Sequence, residues 1–211
     1  MSGILWLGGG CAGLLLLAML IVPRDLRGRR GGDRVEAINN IKQVGVALQE
    51  FDSEYGCFPN DATAVTVKAD STTALTLGGS SSNSYFRQLI ATGLKSEKSF
   101  YAKRAGGKRS DDLLADDAHA LSPGECGFAY IVGLSGSMDP STPIVMTPMI
   151  GGTTRFDPSP FDGKAVVLFL DNSARALPLD SSGRAILNGM DLFDPRQPFW
   201  RGKAPDLRWP E

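Results

Sequence analysis

Asn39-Asn40-Ile41-Lys42-Gln43-Val44-Gly45-Val46-Ala47-Leu48-Gln49-Glu50-Phe51 is the stretch on which the fold turns. Its apolar residues belong to a longer series, Val35, Ile38, Ile41, Val44, Leu48, Phe51 and Tyr55, with steps of three or four. Such steps draw one stripe along an α-helix. Asn39, Lys42, Gln43, Gln49, Asp52 and Ser53 fall on the other side. Asp33, with Glu36 three residues on, is placed to cap the start. Gly56 is placed to end the helix, and Pro59 prevents its continuation. The expectation is a helical spine that buries Ile38, Ile41, Val44, Leu48, Phe51 and Tyr55 against the rest of a domain.

Upstream, Ser2 to Val22 carry no ionisable side chain. The run from Ile4 to Val22 would span about 28 Å as a helix, close to the hydrocarbon thickness of a bilayer. Pro23 should stop that helix, and Arg24, Arg27, Arg29 and Arg30 can sit among lipid headgroups. A cleaved signal peptide would need a basic start and a small-residue cleavage site, and neither is present. Residues 1–23 therefore read as a single-pass anchor, 24–33 as a basic linker with Gly28 to Gly32 flexible, and 34–211 as one soluble domain. Five Arg and two Asp between Arg24 and Arg34 leave +3 just after the span. By the positive-inside rule alone, that excess places the C-terminal domain in the cytoplasm.

Downstream, residues 60–84 are rich in Thr, Ser, Ala, Asp and Gly and read as loop with one short helix. Tyr85 to Leu94 reads as a second amphipathic helix ending at Gly93, and Lys103 to Asp117 as an exposed charged loop. The period then changes. Phe128 to Val132 and Ile144 to Met146 are strand candidates. The strongest β signal is Lys164-Ala165-Val166-Val167-Leu168-Phe169-Leu170, followed by Asp171-Asn172 and then Ser173 to Leu177. Asp and Asn tolerate positive φ, so Asp171 and Asn172 predict a two-residue hairpin turn. The first strand is apolar throughout and should be covered on both faces, whereas the second alternates as an edge strand does. Pro195 to Glu211 reads as an extended tail that packs Trp200 and Trp209 on the domain. The fold class expected is α+β, with a helix packed on a small antiparallel sheet and long loops.

The quoted helix, continued through Tyr55-Gly56-Cys57-Phe58-Pro59, resembles the post-membrane helix of bacterial type II secretion pseudopilins and related type IV pilin-like proteins. The hairpin at Leu170-Asp171-Asn172-Ser173-Ala174 is similar to that family's late strand pair, with Asn172 where Gly is usual. Tyr85 to Tyr101 is similar to a segment of large-domain pseudopilins. The resemblance implies an inner-membrane protein with a periplasmic domain, packed as a pilin and contacting other pilin-like subunits or secretion-system components. It also implies processing after a basic leader, with Glu at the fifth mature position. If Gly3 were the cleavage residue, Gly8 would stand there. Pro23 and the Gly31-Gly32 pair are expected to break the spine. A membrane-tethered periplasmic binding or sensory module that never assembles is the alternative.

In an oxidising periplasm Cys57 and Cys126 could form a disulfide closing a loop of roughly 70 residues, worth about 4 kcal/mol, or they could be two unrelated buried thiols. Some members of the resembled family bind calcium through C-terminal carboxylates, which makes Asp171, Asp180, Asp191 and Asp194 candidate oxygen ligands. The other reading of these residues is turn formation.

Composition bounds the rest. The 211 residues carry 22 Lys+Arg against 23 Asp+Glu, a net charge of −1 that argues against a dedicated nucleic-acid binder. One His and three Cys leave little material for His-based catalysis or a His/Cys metal site. His119, near Asp111, Asp112, Asp116 and Asp117, is the single acid/base candidate, and polar clusters of this kind are usually solvated loops. No Gly-x-Ser-x-Gly elbow, phosphate-binding loop or Cys-x-x-Cys pair occurs. The expectation is a structural protein, not an enzyme, with no cofactor beyond calcium.

Overall fold

The computed structural model describes the backbone of residues 5–211 and the side chains of residues 28–211. A long helix, α1 (Leu5–Tyr55), leads into α2 (Asp61–Ser71) and α3 (Ser82–Ala91). The strands are β1 (Ala129–Val132), β2 (Pro143–Thr147), β3 (Lys164–Phe169), β4 (Ala174–Pro178), β5 (Ile186–Leu187), β6 (Met190–Asp191) and β7 (Asp206–Arg208). Short 3-10 turns cover Lys98–Phe100 and Pro198–Trp200. Five strands form one sheet in the order β4-β3-β2-β1-β7, and every neighbouring pair is antiparallel. The α+β class with an antiparallel sheet is therefore as the sequence suggests. Among the residues whose side chains are described, no helix is long and apolar enough to cross a membrane. The anchor expected over 1–23 lies outside them.

The helix does not break where it was expected to. α1 continues through Pro23, and Gly31-Gly32 is helical instead of forming a flexible linker over 24–33. Asp33 accordingly lies inside the helix and caps nothing. Helix growth is cooperative, so a segment fixed by packing extends across residues of poor propensity, and each Gly costs only about 1 kcal/mol relative to Ala. Packing against the domain starts near Arg34, whose Nη1 donates to the Phe161 carbonyl at 3.4 Å. Val35, at the head of the apolar series, is 55% exposed because the sheet does not reach it on that side.

Further along, α1 lies on the β2–β4 end of the sheet. The Gln49 Nε2 donates to the Leu170 carbonyl at 3.0 Å, and Gly45 is pressed on Leu168 and Asn172. α3 covers the β1 end through Tyr85 and Phe86, whose rings lie 6.0 and 5.2 Å from that of Tyr130. α2 is the one short helix expected among residues 60–84. Asn60 caps it by accepting from the Ala62 and Thr63 amides, and the Thr63 hydroxyl accepts from the Asn60 amide. Gln88 of α3 ties the cap down: its Oε1 accepts from the Thr63 hydroxyl at 2.7 Å and its Nε2 donates to the Asn60 and Leu77 carbonyls. β3 is buried from Ala165 to Phe169, as a strand covered on both faces should be. The tail after Pro195 buries Trp200 and contributes β7, which completes the sheet.

Candidate functional site

The spine residues converge as their spacing requires. Ile41 and Val44 are wholly buried, Leu48 and Phe51 nearly so, and Ile38 and Tyr55 are partly buried at the margin of the same core. Phe51 and Tyr55 stack with ring centroids 4.5 Å apart. The far side of α1 exposes Val35, Asn39, Lys42, Val46, Glu50 and Ser53. Residues 35 and 46 are eleven apart, three turns, so these two exposed valines share a face. Gly45 stands between the two sides: a Cβ there would lie 2.1 Å from Asn172 Oδ1 and 3.0 Å from a Leu168 methyl. Glycine is what allows the helix to seat on the hairpin.

The hairpin differs from the expected two-residue turn. The Asn172 amide donates to the Phe169 carbonyl and the Phe169 amide donates to the Ser173 carbonyl, so the loop is Leu170-Asp171-Asn172. Asn172 alone takes positive φ, at 59°. This is a type I turn followed by one left-handed residue, the usual three-residue hairpin loop. Leu170 is drawn into the loop because its side chain is buried and its amide donates to the Thr142 carbonyl. Asp171 Oδ1 accepts from the Ser173 amide, while Asn172 Oδ1 is buried against α1 without a partner.

Cys57 and Cys126 are free thiols, against the disulfide. Cys57 precedes Phe58, whose amide donates to the Leu134 carbonyl beyond the C-terminal end of β1. Cys126 lies three residues before the N-terminal end of β1, so the length of that strand separates the two. A disulfide needs Cα atoms within about 7 Å. Burial pushes the Cys126 thiol up to about 11, which leaves it protonated and inert.

The C-terminal carboxylates are held in separate turns. Asp180 accepts from the Ser182 and Arg184 amides, Asp191 from Phe193 and Asp194 from Arg196. The Arg196 guanidinium also holds Asp194 down to about 2. Among the described residues, the carboxylates that do converge are Glu97, Asp111 and Glu125, with oxygens within 4.8 Å of one another. Glu97 is fully buried; its Oε2 accepts from the Leu121 amide at 2.6 Å and its Oε1 from the Asp112 amide at 3.0 Å. Burial raises its pKa, against the pull of those amides. Glu125 accepts from the Ser122 amide, and the Lys108 ammonium stands 3.4 Å from its other oxygen. Oxygen ligands suit calcium, yet that ion takes about six to eight of them, and here a lysine already supplies positive charge. The arrangement pins the loop between the Lys98–Phe100 turn and β1. Nothing in the sequence distinguishes these two glutamates from solvated ones.

His119 lies on the surface, its Nδ1 2.8 Å from Asp116 Oδ1, and that contact raises the imidazole pKa. Asp111 and Asp112 are engaged elsewhere: Asp112 takes the Lys98 ammonium at 2.8 Å. The acid/base group suggested by proximity in sequence is a pair in a solvated turn. The charged loop 103–117 is fastened to α1 through Arg109, whose guanidinium donates to both Glu36 oxygens and lies 4.4 Å from the Tyr101 ring centroid. An open apolar concavity of about 570 Å³ lies beside α2 between Ala64, Val65, Lys68, Ala69, Leu75 and Leu77. No protein-family model, curated protein or solved structure matches the chain.

Proposed function

We propose that this chain is a membrane-anchored, pseudopilin-like structural subunit of a type II secretion or type IV pilus-like system. Its anchor lies in the bacterial inner membrane, its soluble domain lies in the periplasm, and its partners are other pilin-like subunits or secretion-system components. The observation that carries this reading is one continuous helix that begins in an apolar run and ends as the buried spine of an antiparallel sheet. Gly45 of the pilin-like stretch supports it, because that glycine meets the hairpin for a steric reason. In this reading the chain performs no catalytic step and takes no nucleic acid.

Oxidative crosslinking in native membranes tests it, with Cys11 as the reactive thiol and Cys57 replaced by Ser. Assembly gives disulfide-linked adducts through the apolar segments. A chain that inserts and gives none is instead a tethered binding module, a second reading favoured by the apolar groove beside α2. A phosphatase fused after Glu211 reports orientation: activity places the domain in the periplasm, and a stable inactive fusion places it in the cytoplasm.

A further inference from the structure

We propose that Asn188 is a site of spontaneous covalent modification, where the side-chain amide is lost and the backbone is rerouted through isoaspartate. Asn188 and Gly189 form the two-residue turn between β5 and β6, with Ile186 paired to Asp191 and Leu187 to Met190. Both turn residues are exposed and both have positive φ, 53° for Asn188 and 78° for Gly189. Asn-Gly is favoured in this turn because both positions must be left-handed. The same pair is chemically vulnerable, because asparagine is thermolabile and a following glycine offers an unhindered amide. A Cβ at Gly189 would meet nothing within 4 Å, so the space on that side of the turn is open. Neither the Asn188 carboxamide nor the Gly189 amide has a hydrogen-bond partner among the described residues.

In the reaction the Gly189 nitrogen gives its proton to solvent base and bonds to the Asn188 side-chain carbonyl carbon. The carboxamide nitrogen takes up a proton and leaves as ammonia, which closes a cyclic imide. Water then cleaves one of the two imide C–N bonds. One cleavage yields an ordinary aspartate with the original backbone; the other passes the chain through the side-chain carbon as isoaspartate. The net change is one water consumed and one ammonia released, with no oxidant or reductant. The folded turn slows the attack, since Asn188 must leave its left-handed well to bring the two groups together. A hairpin with two residues per strand and no fully buried side chain opens at little cost.

The product has a structural consequence. The Gln197 Nε2 donates to the Leu187 carbonyl at 3.0 Å and to the Asp191 carbonyl at 3.2 Å, which docks the tail on this hairpin. An extra backbone carbon at position 188 displaces the first acceptor and loosens the turn that carries Trp200.

The test holds the purified full chain in detergent in mildly alkaline buffer, with and without denaturant, and maps peptides by mass at intervals. The expected result is the mass gain of an amide becoming a carboxylate at Asn188, with both aspartate and isoaspartate products, slower in the native chain than in the denatured one. The aged native protein melts lower than fresh protein. Asn188→Gly, which keeps the left-handed turn and has no amide, shows no change on ageing. Retention of the Asn188 amide in the native chain while the denatured chain loses it, retention in both, or native loss at other asparagines instead would each overturn the proposal.

Discussion

Replacing Gly45 with Ala inverts the effect the same change has on an ordinary helix. In an exposed helix interior, Gly→Ala adds about 1 kcal/mol of stability by restricting the unfolded chain and covering backbone. At position 45 the new methyl would sit 2.1 Å from Asn172 Oδ1 and 3.0 and 3.2 Å from the two Leu168 methyls. Those side chains have little room to retreat, because the space they share with Leu48, Gln49, Phe58 and Ile144 holds about 10 Å³. Overpacking costs about 1–3 kcal/mol, and a clash well inside 3.0 Å puts this site in the upper part, about 2–3 kcal/mol, so after the helix gain the balance is a loss of about 1–2 kcal/mol. For a domain of this size the melting temperature should fall by about 2–8 °C. The partner change is Asn172→Gly. It removes the nearest obstructing atom, suits the left-handed backbone at φ 59°, and removes an acceptor that has no partner. Alone it should be close to neutral, and in the double variant it should recover about 1 kcal/mol or more of the Gly45→Ala loss. Thermal and urea unfolding of the full chain in detergent, followed by tryptophan fluorescence, closes the cycle. Strict additivity, or a Gly45→Ala variant more stable than the parent, would refute the seating of α1 on the hairpin.

This contact also shows why some of the architecture was legible and some was not. The stripe from Ile38 to Tyr55 is readable because one face of α1 meets one sheet, and β3 because a strand covered on both sides must be apolar throughout. Val35 continues the stripe in sequence but not in space, since periodicity cannot say where the covering sheet ends. The Asp171-Asn172 pair marks the turn correctly, but Leu170 is added to it by tertiary bonds that no local rule contains. α2 buries few side chains, Thr63 and Val67 foremost, so its hydrophobic signal is faint. Its cue is the Asn60 and Thr63 capping pair. The hairpin β5–β6 has a clear local signal in Asn188-Gly189, although the expectation for this region held only turns. β7 has none, because three residues in a Pro-rich tail become a strand only by pairing with β1. The convergence of Glu97 and Glu125 is the least legible feature, since Glu97 bonds the Leu121 amide across 24 residues of irregular loop.

Leu48→Ala should destabilise by about 2–5 kcal/mol, read as a fall in the urea midpoint, because the side chain is 1% exposed at the centre of the α1 contact. An unchanged midpoint would remove the spine assignment. The thiols of Cys57 and Cys126 should both be titratable by a thiol reagent after unfolding, with Cys57 reacting in the folded protein and Cys126 only in the unfolded one. Recovery of a Cys57–Cys126 linked peptide would contradict this. Glu97 has its folded pKa raised by burial, so its contribution is fully present below the unfolded value and is lost as pH rises through the folded one. Glu97→Gln, which does not titrate, should therefore gain on the parent as pH rises from that acidic window toward neutrality, and a gap that stays constant with pH would show that the burial of Glu97 is not expressed. Gly31 and Gly32 complete the contrast with Gly45, since they lie on the same helix but a Cβ at either would meet nothing within 4 Å. Alanine at each should raise stability by about 1 kcal/mol, the intrinsic helix difference with no packing term to oppose it. The sign of the effect is the measurement: a loss on Gly31→Ala or Gly32→Ala would mean that α1 does not run through this pair as a helix, and the continuous spine on which the assembly reading stands would be withdrawn.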